Sequence, residues 1–199
     1  GNLAGEKNTT GNTNNFFGAS AGRNNTSGGS NNFFGNGAGA SNTTAGSNNF
    51  FGLNAGTNNT TGAFNNIFGH TAGFNNTTGS RNVFIGTSVD GNRTGDENVF
   101  IGNNAARNSR SGSANIAIGT SSLSNSTDTL SGSNNIAIGL GAIQNIRFGA
   151  SQNVGIGYSV FLPTANANNQ GVYQNVLFFT GASGTGTTIA AGSRAGIKT

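Results

Sequence analysis

At a near-regular interval a large apolar residue stands immediately before a glycine: Phe17, Phe34, Phe51, Phe68, Ile85, Ile101, Ile118, Ile138 and Ile156. Two positions earlier lie Asn15, Asn32, Asn49 and Asn66, then Val83, Val99, Ile116, Ile136 and Val154. Between these two columns run Phe16, Phe33, Phe50, Ile67, Phe84, Phe100, Ala117, Ala137 and Gly155. Side chains alternate across a strand, so the first two columns share one face and the third takes the other. Each stretch predicts a short β-strand that ends at its glycine. No apolar stripe of helical period appears, and Gly and Asn are frequent, which argues against helices.

The spacing organises the chain. The glycines after the strands, from Gly1, Gly18 and Gly35 to Gly157, are 17 residues apart five times, then 16, 17, 20 and 18. A second series follows inside each repeat: Gly11, Gly28, Gly62, Gly79, Gly95, Gly112, Gly132 and Gly149, with Ala45 and Gly46 covering one offset case. Glycine suits tight corners, so each repeat reads as strand, corner, turn, second strand, corner. A unit of this size cannot bury a core alone, whereas stacked copies can. The expected fold is all-β: a parallel β-solenoid, or β-roll, with two short strands per coil of roughly 17 residues. Ten coils at about 4.8 Å each make a rod of roughly 50 Å. The repeat domain is expected over 1–157. Residues 158–199, with the sole proline Pro163 and the strand-like NVLFF at Asn175 to Phe179, are expected to form a cap or transition segment.

The columns separate inside from outside. The column before the glycine, from Phe17, Phe34, Phe51 and Phe68 through Ile85, Ile101, Ile118, Ile138 and Ile156, is never polar and is expected to be the coil core. Asn15, Asn32, Asn49 and Asn66 would lie beside it as a buried amide ladder. The middle column then faces out, and Phe16, Phe33, Phe50, Ile67, Phe84 and Phe100 become the expected oligomer interface. Burying one such side chain is worth about 1.5–3 kcal/mol, and soluble monomers seldom leave so large a stripe bare. Whichever column lies inside, the other needs a cover, and a second copy of the chain is the expected one. On the second strand Thr9, Thr26, Thr43, Thr60 and Thr77, then Arg93, Arg110 and Arg147, form an outward column. Its neighbours, Asn8, Asn25, Asn42, Asn59 and Asn76 on one side and Thr10, Ser27, Thr44, Thr61, Thr78, Thr94 and Ser111 on the other, are expected inward by alternation.

Composition narrows the function classes. The 199 residues include 35 Gly and no Cys, and only 7% are charged, for a net charge of +4. Without cysteine there is neither a disulfide framework nor a thiolate metal site. The cations form no nucleic-acid-binding cluster, and no apolar run approaches the roughly 20 residues of a membrane span. Gly1 begins inside a repeat, so the chain is expected to be a piece of a longer protein. His70 has no Ser, Cys or acidic partner at triad-like spacing and is expected in an exposed turn. Asp90, Asp96 and Glu97 are too few for calcium and are expected to make a solvated acidic corner facing Arg93. No phosphate-binding glycine motif is present, and the many Asn-x-Ser/Thr sequons follow from an Asn/Thr-rich repeat. No cofactor, metal site or enzymatic activity is expected.

At NVFIG (Asn82 to Gly86, Asn98 to Gly102) and NIAIG (Asn115 to Gly119, Asn135 to Gly139) the chain resembles the head repeats of trimeric autotransporter adhesins and related trimeric phage and bacterial fibres. The resemblance spans about Gly1 to Tyr158 and is closest from Asn82 to Gly157. It implies a left-handed parallel β-roll, three chains around one axis, an apolar trimer interface, and display at a cell or virion surface. The repeat here is longer than those heads usually show. The NNFFG copies place Phe where Ala is usual, which asks for a wider or differently packed axis. The leading expectation is an extracellular structural or adhesive rod that binds a host-surface, matrix or glycan ligand. An ice-binding solenoid, suggested by the threonine column, and the subunit of a self-assembling extracellular filament are the alternatives.

Overall fold

The computed structural model describes residues 1–89, 93–124, 131–147, 149–165 and 167–174. Ten three-residue strands follow one another: β1 (Asn15–Phe17), β2 (Asn32–Phe34), β3 (Asn49–Phe51), β4 (Asn66–Phe68), β5 (Val83–Ile85), β6 (Val99–Ile101), β7 (Ile116–Ile118), β8 (Ile136–Ile138), β9 (Val154–Ile156) and β10 (Gly171–Tyr173). They form one parallel sheet in chain order. Register places like on like, as in Asn32 with Asn49, Phe33 with Phe50 and Phe34 with Phe51. No helix occurs among the described residues. The protein is an all-β parallel solenoid whose coil takes about 17 residues.

Two expectations about the coil need correction. Among the described residues, each coil carries one ladder strand rather than two. At the second edge, the backbone N–H groups of Thr9, Thr10 and Gly11 converge on the Thr26 carbonyl at 2.9, 3.0 and 3.4 Å. Donors bunched on one acceptor cannot make the evenly spaced bonds of a parallel ladder. The ladder also runs past the expected boundary at 158, because β10 pairs with β9 at the same lag, Val154 with Gly171. The NVLFF stretch lies outside the described residues.

A third correction concerns which column lies inside. Phe33, Phe50, Ile67, Phe100, Ala117 and Ala137 are fully buried, Phe84 is nearly so, and Phe16 is half-buried in the first coil. The column expected as core faces outward. Phe17 is 59% exposed, Phe68, Ile85, Ile118 and Ile156 are exposed, and Phe34, Phe51, Ile101 and Ile138 are half-buried. The expected oligomer interface is thus the coil core, and the expected core is the outer surface of the sheet.

The opposite wall explains why. The chain crosses back over the central strand residue six positions later. Gly39 stands there against Phe33 and Gly56 against Phe50, and a Cβ on either would lie 2.5 or 2.6 Å from a ring carbon. Where the strand supplies only Ala117 or Ala137, the wall supplies Leu123 or Ile143, both fully buried. All four wall residues share the left-handed conformation, with φ of 57°, 58°, 52° and 54° in chain order. Large and small residues therefore trade places across the coil, so each fills the space the other leaves.

Two buried asparagine columns complete the interior. Asn31, Asn48, Asn65, Asn82, Asn98, Asn115, Asn135 and Asn153 are fully buried just before the strands. The Asn48 N–H donates to Asn31 Oδ1 at 3.0 Å, its Nδ2 donates to the Gly62 carbonyl at 3.0 Å, and its Oδ1 accepts from the Asn65 N–H at 2.9 Å. The buried amide ladder is thus one residue earlier than expected. Asn25, Asn42, Asn59 and Asn76 are also buried, as alternation predicts. Asn42 Nδ2 donates both to Asn25 Oδ1 at 2.7 Å and to the Ala45 carbonyl at 2.9 Å. The other neighbouring column, expected inward, is exposed at Thr10, Ser27, Thr44, Thr61, Thr78, Thr94 and Ser111, because the chain turns outward there without forming a strand.

Candidate functional site: the outer face of the sheet

The first and third residues of each strand point away from the coil and make two parallel columns along the rod. In β1 to β4 one column is asparagine and the other phenylalanine. Asn15 Nδ2 donates to Asn32 Oδ1 at 2.7 Å, Asn32 to Asn49 at 2.8 Å, and Asn49 to Asn66 at 2.8 Å. The rings of Phe17 and Phe34, and of Phe34 and Phe51, stack at 4.8 Å, and those of Phe51 and Phe68 at 5.0 Å. Their planes differ by no more than 10°. The faces of the inner rings are thus occupied by neighbouring rings, leaving ring edges toward solvent. From β5 to β9 both columns are Val or Ile. Neither column carries a charged residue from β1 to β9. The result is an uncharged strip along the sheet, apolar on both sides in its second half.

The charged residues lie elsewhere. Arg23 pairs with Glu6 at 2.8 Å, and Arg81 pairs with Glu97 at 2.9 Å and Asp96 at 3.9 Å. The acidic corner therefore faces Arg81 rather than Arg93, since the coil stack puts β5 and β6 turns side by side; Asp90 lies outside the described residues. Of the expected outward column, Thr9, Arg93, Arg110 and Arg147 are exposed, while Thr26, Thr43, Thr60 and Thr77 are half-buried. Their hydroxyls donate to the carbonyl of the next coil, Thr26 to Thr43 and Thr43 to Thr60 each at 3.1 Å. The threonine protons are thus committed within the rod.

His70 is exposed, with its Nδ1 3.5 Å from the Thr71 hydroxyl. Among the described residues, no group of three or more His, Cys, Asp or Glu side chains is placed to hold a metal ion. No helix there is long and apolar enough to cross a membrane.

No family model matches the chain, and neither a curated protein nor a solved structure matches it. The likeness to trimeric fibre repeats accordingly rests on the NVFIG and NIAIG stretches and their recurrence.

What the sequence pattern left ambiguous was the identity of the covered column. The signal was present in the inverse sizes six positions apart: Phe33 with Gly39, Phe50 with Gly56, Ala117 with Leu123, Ala137 with Ile143. Only residues that touch across a core need compensate in this way.

Proposed function

We propose that this chain is a non-enzymatic structural and adhesive rod, a segment of a homotrimeric cell-surface adhesin or fibre. Its copies pack through the outer face of the sheet. The observation that supports this reading is the uncharged strip from β1 to β9, where residues such as Phe17 and Ile85 remain 59% and 40% exposed in the single chain. Water contact over such a strip is unfavourable by about 25 cal/mol per Å² of apolar surface, and a second copy offers a surface of the same kind. An uncharged partner matches it best, because a charged one would be desolvated without compensation.

Sedimentation equilibrium at micromolar concentration tests the reading. The expected result is an oligomer, with three chains as the leading stoichiometry. A single sedimenting chain would overturn it.

A further inference from the structure

Half a coil away from the strands, the outward corner column changes chemistry along the rod. Thr9, Thr26, Thr43, Thr60 and Thr77 occupy it first, and Arg93 and Arg110 then take over. These two arginines sit on successive coils, the Arg93 N–H donating to the Arg110 carbonyl at 2.9 Å. Both are exposed, and so is Arg107 in the turn that leads into the same corner. Like charges in register on adjacent coils repel, and an interleaved acid would relieve them. The acidic residues among the described ones are engaged elsewhere, Glu6 with Arg23, and Asp96 and Glu97 with Arg81. The fold itself does not ask for arginine here. Thr77, one coil earlier, completes the same ladder with its hydroxyl donating to the Arg93 carbonyl at 2.7 Å.

We propose that this arginine row binds a linear anionic polysaccharide lying along the rod. A guanidinium presents a planar fork of donors that suits sulfate and carboxylate oxygens. The row is a line on a convex corner, with successive charges about one coil, ~4.8 Å, apart. A flexible chain bearing an acid group on its sugar units can follow such a line. A bilayer would need a flat basic patch, and a DNA groove would need a protruding element. The corner lies about half a coil along the chain from the outer face of the sheet, so this binding stands independently of self-association.

The test uses the full chain with heparin as a sulfated probe, polygalacturonate as a carboxylated one and dextran as a neutral control, titrated at low salt and at about 0.15 M salt. Binding to an anionic probe, weakened by salt and absent with dextran, is expected. The double variant Arg93→Thr, Arg110→Thr restores the residue that earlier coils use and should keep the circular dichroism spectrum and melting midpoint. It should weaken binding roughly tenfold or more, as loss of charge-assisted hydrogen bonds implies. The paired-arginine control Arg23→Thr should leave binding unchanged. Failure of both anionic probes to bind, an equal loss with Arg23→Thr, or tighter binding to duplex DNA than to either polysaccharide would overturn the proposal.

Discussion

The inverse sizes of Phe50 and Gly56 make a prediction about single side chains. Phe50→Ala empties the space under a glycine wall and should cost about 3–5 kcal/mol. Gly56→Leu alone drives a side chain into the Phe50 ring and should destabilise as well. Together they recreate the pairing of Ala117 with Leu123, where leucine already sits at φ 52°, so the double variant should recover much of the loss. Urea midpoints of the four-member cycle read the coupling, and additive losses would count against the crossing of strand and wall. Adjacent asparagines make a second contrast. Asn48→Ala leaves the Asn65 N–H buried without its acceptor, at about 1–3 kcal/mol, and takes one of two side-chain donors from the Gly62 carbonyl, which keeps Asn59 Nδ2 at 2.8 Å. Asn49→Ala removes an amide on the outer face and should cost under about 1 kcal/mol in a dilute sample. At this scale the pattern is legible in kind and ambiguous in place. NNFFG offers two asparagines and two phenylalanines, and polarity alone does not say which of each pair turns inward. The glycine six residues on does.

At the scale of the element, the short strands are plain from the recurrence of the apolar triplet, and their parallel like-on-like register follows from the period. The second edge is not, because TT or TS before a corner glycine has strand-like composition while its amides converge on single carbonyls. The strand's outer face is where association should be sensitive. Ile118→Lys with Ile138→Lys puts two cations, unpaired, onto neighbouring strands of the aliphatic half. Both positions point away from the coil, so the far-ultraviolet circular dichroism should be retained while the sedimenting mass falls to one chain. An unchanged mass would move the association surface away from these strands. The exposed pairs of Arg23 with Glu6 and Arg81 with Glu97 are a different matter. Glu6→Gln should shift stability by less than about 1 kcal/mol, since surface ion pairs in water contribute little, a change readable in the thermal midpoint.

Across the whole molecule, the described strands touch only their neighbours in the stack, so stability is a sum of coil and interface terms. Composition and period together imply this organisation: an Asn- and Gly-rich chain with regular apolar triplets covers them by stacking its repeats. Composition does not reveal how the polar interior is satisfied. Each Asn in the column from Asn31 to Asn153 accepts an N–H from the coil that follows it, as Asn31 does from Asn48 and Asn48 from Asn65, and the last hands over to Gln170, whose N–H lies 2.9 Å from Asn153 Oδ1. Because the β2 and β3 coils repeat the same residue types at Asn31 and Asn48, Phe33 and Phe50, Ala38 and Ala55, and Asn42 and Asn59, excising residues 35–51 would join Phe34 to Gly52 and hand every severed bond an equivalent partner. The shortened chain should fold, with a melting midpoint slightly below that of the parent. The length of the rod is therefore quantised, so that recombination between near-identical repeats can alter its reach by whole steps and leave each remaining cross-section as it was.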